Sequence, residues 1–217
     1  MSDLRRYLRG IPVFAGDLPA FDPTAAPDEP ETLFVAWLRA AVDAGVREPH
    51  AMTLSTVGAD GVPAARVLIL KNVDDEGWQF AVHADSPKGQ DLARQPAAAL
   101  TFYWPAQARQ IRVRGTVRPE PADLSAADFL ARPVGSRAEA SLGMQSQHLT
   151  DPHTLEVAVK QAHDRIADNP GLVVEQWTLY ALAADTVEFW QGDQQRRHTR
   201  LRYTRADIGW TRDLLWP

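Results

Sequence analysis

The sequence predicts a mainly β fold with α decoration, a closed antiparallel barrel, and three observations carry that expectation. Between Ala51 and Arg118, short runs of β-branched, aromatic and aliphatic residues recur with turn signals between them. The first two runs are joined by Gly58-Ala59-Asp60-Gly61, a tight hairpin turn. Helical periodicity is confined to the flanks of this region and to one short interruption near Pro87.

Taken in order, residues 1–27 read as an irregular arm, because Pro12, Pro19, Pro23 and Pro27 interrupt any period. Within it, Leu4–Arg9 has room for a helical turn. Asp28 and Glu31 have capping-box spacing, and Leu33, Phe34, Trp37, Leu38, Ala41 and Val42 then form a helical stripe. Strands are expected at Ala51–Val57, Val62–Leu70, Trp78–His83, Ala97–Trp104 and Arg109–Arg118. A short helix over Pro87–Arg94 has Ser86 as N-cap and Pro87 in its first turn. Leu124–Ala167 is largely helical, and strands resume at Glu175–Ala183 and Thr186–Trp190. After the Gly192-Asp193 turn, a returning strand ending at Tyr203 would carry Arg196, His198 and Arg200 on one face. Residues 28–217 thus form one domain.

Composition narrows the function. A chain of 217 residues with 45% hydrophobic and 24% charged residues is an ordinary globular domain with a sizeable core. No apolar run approaches the roughly 20 residues a membrane span needs, and no secretory signal is legible at the N-terminus. Zero cysteines exclude thiolate chemistry and disulfides, and a cytoplasmic location is expected. A net charge of −5 argues against general nucleic-acid binding, so the local cation clusters point to a small anionic ligand. No metal is expected, since the six histidines show no metal-ligand spacing.

The densest chemistry lies in Val187–Arg200. Two guanidiniums flanking an imidazole near a Trp suit a planar anionic ligand that gains charge during reaction. A solvated cationic edge strand would account for the same run. Similar pairs of readings stand elsewhere. Arg66 and Lys71 bracket an apolar strand, as phosphate ligands or as plain charged ends. Ser86-Pro87-Lys88 opens a helix, as an anion site or as an ordinary cap.

The stretch FWQG, a short gap and R-x-H-x-R resembles the C-terminal signature of the pyridoxamine 5′-phosphate oxidase family. Arg66-Val67-Leu68-Ile69-Leu70-Lys71, Ser86-x-Lys88, Gln110, Gln145-Ser146 and Arg132-Pro133-x-x-Ser136 match its other motifs in the same order. The resemblance runs from about Pro49 to the C-terminus and implies an FMN-binding split β-barrel. It implies cofactor contacts from Arg66, Val67, Lys88, Gln110, Gln145, Ser146, Trp190 and Arg200. In a homodimer, Gln145-Ser146 and the Trp190/Arg200 pair would come from the subunit opposite Arg66 and Lys88. Substrate would meet Lys71, Asp128, Arg132, Ser136, Arg196 and His198, the last two being catalytic. Arg5 and Tyr7 resemble residues of the family's mobile arm.

The implied activity is oxidation of pyridoxine or pyridoxamine 5′-phosphate to the aldehyde, with O2 consumed and hydrogen peroxide released. Three positions depart from the pattern. Pro87 stands for an Arg, Asp128 for a Tyr, and Leu214 for an Arg. The first removes a phosphate ligand, and the second puts a carboxylate where a phosphate donor is expected. An oxidase of a non-phosphorylated, phenazine-type aromatic and a non-catalytic flavin-binding protein are the alternatives.

Overall fold

The computed structural model describes residues 3–217. In chain order the elements are α1 (Asp3–Gly10), α2 (Pro30–Asp43), β1 (Ala51–Val57), β2 (Pro63–Ile69), β3 (Asn72–Asp74) and β4 (Gly77–His83). They continue with α3 (Pro87–Arg94), β5 (Ala97–Trp104), β6 (Arg109–Pro119), α4 (Ala122–Ala131), α5 (Val134–Ala140) and α6 (Pro152–Asp168). The chain ends in β7 (Trp177–Gln191), β8 (Thr199–Arg205) and β9 (Trp210–Leu214). The strands form one sheet in the order β2-β1-β5-β6-β7-β4-β3, with β8 joining β7 to β9.

The two strands expected at Glu175–Ala183 and Thr186–Trp190 are one continuous strand, β7. Its first half pairs antiparallel with β4, from Trp177↔His83 to Leu182↔Trp78. Its second half pairs with β8, from Thr186↔Thr204 to Gln191↔Thr199. Pairing along both halves holds the Ala183–Asp185 stretch extended. The helical region after Leu124 likewise resolves into three helices, since Pro133 and Pro152 each begin a new one.

The chain divides into two compact units. One holds the chain through Leu54, Ala99–Arg114 and Ala184–Pro217; the other holds Ser55–Ala98 and Gly115–Ala183. In the first, α2 buries Leu33, Phe34, Trp37 and Ala41, while Val42, expected on the same stripe, is 58% exposed. Phe34 meets Phe102 at 4.9 Å between ring centroids, and Trp37 meets Phe189 at 5.2 Å. Each such aromatic, fully buried, contributes about 1.5–3 kcal/mol. Burial pulls the Arg109 guanidinium down to about 10. It lies 4.1 Å over Trp37 and donates to Gln191 Oε1 at 2.9 Å.

Asp28 does not cap α2, as its spacing suggested. Glu29 is the N-cap and makes no side-chain bond, with Pro30 setting the first turn. The Asp28 carboxylate pairs instead with Arg212 at 3.3 Å. The helix starts one residue later than a capping box from Asp28 requires, which leaves its carboxylate outside the first turn.

In the second unit, α5 and α6 pack Ala138 against Ala162 and Ile166. Arg137 ties down the chain after α6 by donating to Pro170 O and Leu172 O at 2.7 and 3.0 Å. The junction of β4 with α3 sets where Ser86 and Lys88 stand. Gly89 sits so close to the His83 and Ala84 carbonyls that any Cβ would collide with them. The helix N-terminus is thereby seated directly on the end of the strand. Gly89→Ala is therefore expected to destabilise the protein by more than about 2 kcal/mol, far beyond a propensity effect, which favours Ala in a helix. A urea midpoint matching the parent would show that the junction has slack.

Candidate functional site

The N-terminus of α3 brings together a side-chain cap and a lysine, the features an anion site needs. Ser86 Oγ caps it, accepting from Gly89 N at 3.3 Å while donating to His83 O at 2.6 Å. Pro87 at N1 has no N–H to lose, so the departure from Arg costs the helix nothing. Lys88 follows, only 6% exposed, and donates from Nζ to Ser86 Oγ at 3.3 Å and to Gln145 Oε1. Burial, helped by the nearby Arg66 charge, pulls the Lys88 ammonium down to about 8. Arg66 is lowered too, by burial against the opposing pull of Asp91. Its Nη1 donates to Thr56 Oγ1 at 2.8 Å, and Thr56 donates onward to Asp91 Oδ2 at 2.9 Å.

A buried lysine and a half-buried arginine beside a capped helix N-terminus fit a phosphate monoester, the terminal group of FMN. Gln145, expected from the opposite subunit, meets Lys88 within one chain. The reason is electrostatic: a nearly buried ammonium needs an acceptor, and the loop after α5 brings one. Ser146 follows it, exposed, with φ 68°.

Lys88 and Gln145 open onto a cavity of about 700 Å³, which Val67, Lys71, Arg132 and Ser136 also line. Asp128 stands beside this cavity, only 14% exposed at its side chain, so it is no solvated helix residue. Its Oδ1 pairs with Lys71 Nζ at 3.1 Å, and its Oδ2 accepts from Trp177 Nε1 at 2.8 Å. Arg132 lies 4.0 Å over the Trp177 ring and donates to the Ser136 carbonyl at 3.0 Å. Burial lowers Arg132, against Asp128 and Glu139, which work to raise it. Two cations therefore meet two carboxylates at this end of the cavity.

The remaining expected residues gather in the other unit, around β7 and β8. Trp190 and Arg200 are cross-strand partners. Arg200 is held by Glu188, with Nε to Oε1 at 3.1 Å, and donates from Nη1 to Trp216 O at 2.9 Å. Arg112 reaches Glu188 from β6 at 2.5 Å. Burial works to raise the Glu188 carboxyl, but bonds and charges from Arg200 and Arg112 outweigh it and hold the group low. Gln110 lies half-buried on β6.

The expected strand face of Arg196, His198 and Arg200 is not formed. β8 begins at Thr199, and Arg196 lies in the turn before it with φ 66°. Asp193 is the physical cause. Its carboxylate accepts from Gln195 N at 2.7 Å and Arg197 N at 3.3 Å, curling the segment before pairing can start. Asp193 N also donates to His198 Nδ1 at 3.1 Å, which makes Nδ1 an acceptor and places the ring proton on Nε2. Trp190 lies against that imidazole, with centroids 5.0 Å apart.

Sequence reasoning missed four participants. His83, Trp177 and Glu139 line the cavity, and Phe14 packs on His198. Only His83, at a strand end just before the Ser86 cap, carried any local signal. Among the described residues, no group of three or more His, Cys, Asp or Glu is placed to hold a metal ion. Among the described residues, no helix is long and apolar enough to cross a membrane.

FMN affinity is expected to weaken as pH rises above about 8, because Lys88 then enters the site increasingly uncharged and one bound proton must be supplied on binding. Flavin fluorescence titrations from pH 7 to 9.5 measure this. Lys88→Gln should bind more weakly at pH 7 and flatten the profile, whereas a flat parent profile would remove Lys88 from the phosphate contact.

Residues 38–165 match the family description "Pyridoxamine 5'-phosphate oxidase", and residues 177–217 match "Pyridoxine 5'-phosphate oxidase C-terminal dimerisation region". Pyridoxine/pyridoxamine 5′-phosphate oxidase of Burkholderia cenocepacia is 44% identical over 196 residues, covering 89% of this chain and 91% of that protein. The Pseudomonas syringae enzyme of the same name is 43% identical over 194 residues, covering 88% and 90%. Among solved structures, PhzG from Burkholderia lata, in complex with tetrahydrophenazine-1-carboxylic acid, superposes with a TM-score of 0.85 at 30% identity, covering 93% of this chain and all of that one. An FMN-binding protein from Nostoc punctiforme shares the fold, with a TM-score of 0.70 at 18% identity, covering 87% and 98%. The chain belongs to the pyridoxamine 5′-phosphate oxidase family, FMN-dependent oxidoreductases built on the antiparallel split β-barrel.

Proposed function

We propose that this protein is a homodimeric FMN-dependent oxidase that converts pyridoxine or pyridoxamine 5′-phosphate to pyridoxal 5′-phosphate. The observation that carries this reading is one cavity with cationic groups at two places, Lys88 by the α3 N-terminus and Lys71 with Arg132 beyond it. Arg66, Lys88 and the α3 N-terminus would hold the FMN phosphate. Lys71, Arg132 and Ser136 would hold the substrate phosphate, and the match of residues 177–217 to a dimerisation region supports a two-subunit assembly.

Bound FMN would supply the two-electron redox chemistry, with O2 as the final acceptor and hydrogen peroxide as the by-product. The alcohol needs nothing more to become the aldehyde; the amine also consumes water and releases ammonia. The chain's residues position and polarise. His198 offers an Nε2 donor to a substrate oxygen or nitrogen, and Arg196 offers a guanidinium to charge that develops on the ring.

A second reading has a specific observation behind it, the Lys71–Asp128 ion pair. A carboxylate at 3.1 Å already satisfies the cation that would meet a phosphate dianion. Two unit charges about 4 Å apart interact by roughly 4 kcal/mol at an effective dielectric of 20, comparable to one cation–phosphate contact. A non-phosphorylated aromatic, of the kind bound to the Burkholderia lata protein, would suffer less from that competition.

Oxygen uptake with phosphorylated B6 vitamers, their unphosphorylated forms and reduced phenazine carboxylates separates the two. Pyridoxine 5′-phosphate is expected to be oxidised, but with a high KM. Asp128→Asn, which keeps an acceptor for Trp177, and Asp128→Tyr should each lower that KM by about tenfold, allowing for solvent screening. Turnover confined to the phenazine carboxylates in the parent and both variants would transfer the assignment to the second reading. Arg196→Ala is expected to cut kcat by about ten- to a hundredfold with FMN retained, the cost of about 1.5–3 kcal/mol for a lost charged contact. A parent-like rate would make Arg196 a bystander.

A further inference from the structure

Phe14 belongs to a segment that otherwise faces solvent, with Ile11 48% and Val13 57% exposed just before it and Ala15 exposed after it. Its own ring is half-buried, packed on the hairpin that carries the expected catalytic pair. The ring centroid lies 5.4 Å from His198, edge to face at 68°, and 5.7 Å from Trp190. The Arg196 guanidinium carbon stands 5.5 Å over the same ring. One aromatic side chain thus touches all three groups that the hairpin presents.

The backbone is arranged for this contact. Phe14 has φ 54°, a left-handed conformation that a bulky residue adopts only when its surroundings enforce it. The enforcement comes from Gln194, whose Nε2 donates to Phe14 O at 3.2 Å and to Gly16 O at 2.8 Å. Gln194 sits in the Asp193-capped turn between Trp190 and His198, so the turn that aims the catalytic pair also grips the segment that supports it.

The need for a support follows from what else holds these side chains. His198 is anchored at Nδ1 by Asp193 N, a single bond about which the ring can tilt. Trp190 lies against the imidazole at a tilt of 43°, and Phe14 adds a second aromatic neighbour. Among the described residues, no hydrogen bond or ion pair engages the Arg196 guanidinium, and the Phe14 ring is its cation–π partner. We propose that Phe14 is a positioning residue, which fixes the Arg196 guanidinium and the His198 imidazole for the reaction from a segment remote in sequence. This rests on the reading of Arg196 and His198 as the substrate-facing pair.

The test uses the full chain and two independent readouts. In the flavin-free protein, NMR of labelled histidine reports the His198 ring, identified as the resonance lost in His198→Gln. Removing an edge-packed aromatic in Phe14→Ala should shift that resonance and leave those of His50 and His153 in place. In the FMN-loaded enzyme, Phe14→Ala and Phe14→Leu should lower kcat about tenfold with KM and FMN affinity within about twofold, the scale of a small misplacement. Phe14→Tyr, which keeps the ring, should restore both readouts, and Val13→Ala should change neither. An unmoved His198 resonance, or a Phe14→Leu enzyme as fast as the parent, overturns the proposal. So does a rise in kcat or a fall in KM for Phe14→Ala, which would make the ring an obstruction. If no B6 vitamer or phenazine is turned over, the activity assignment fails by itself, and the NMR comparison still decides whether Phe14 orders His198.

Discussion

Strand β7 is the constraint on which both groups of site residues depend. Its N-terminal half is fixed by ladder bonds to β4 and its C-terminal half by ladder bonds to β8. Trp177, at its first position, is the surface on which Arg132 stacks and the donor that orients Asp128. Glu188 and Trp190, near its end, hold Arg200 and His198. A side chain anchored on a paired strand cannot drift without breaking backbone hydrogen bonds. The loops and helices that bring the cations are therefore referred to rigid points.

Most of those cations are costly where they sit. Lys88 and Arg132 are both lowered chiefly by burial, which penalises their charged forms. The chain offsets this differently in each place. Lys88 has neutral acceptors, Ser86 Oγ and Gln145 Oε1, so its charge remains available to an anion. Lys71 has a full carboxylate, so its charge is largely spoken for. The same residue type thus has neutral partners at the helix N-terminus and a carboxylate partner at the far end of the cavity.

That contrast bears on what the protein prefers to bind. A cation with neutral partners, as at Lys88, favours a dianionic phosphate, whereas a balanced set of Lys71, Arg132, Asp128 and Glu139 lets shape and apolar contact weigh more. The family relationship establishes the cofactor chemistry, and the charge pattern at Asp128 is where this member can differ in the molecule it oxidises.

Much of the fold was legible in the sequence because its causes are local. The β1–β2 hairpin follows from Gly58–Gly61, the α3 cap from Ser86 and Pro87, and the core face of α2 from its helical spacing. Arg66 and Lys88, the residues proposed for phosphate binding, were legible too, since they sit in short motifs tied to a strand and a helix start. What the tertiary structure decided involves partners far apart in the chain. Asp28 chose Arg212 over its own helix, Asp128 chose Lys71 and Trp177 over solvent, and Gln145 met Lys88 inside one chain. Asp193 bent the Arg196–His198 segment out of the strand that alternation alone predicts, and Gln194 drew Phe14 onto it. Periodicity and turn propensity are set by neighbours within a few residues. The pairing of a buried charge is set by whichever opposite group the folded chain brings within about 3 Å, and no local pattern records that distance.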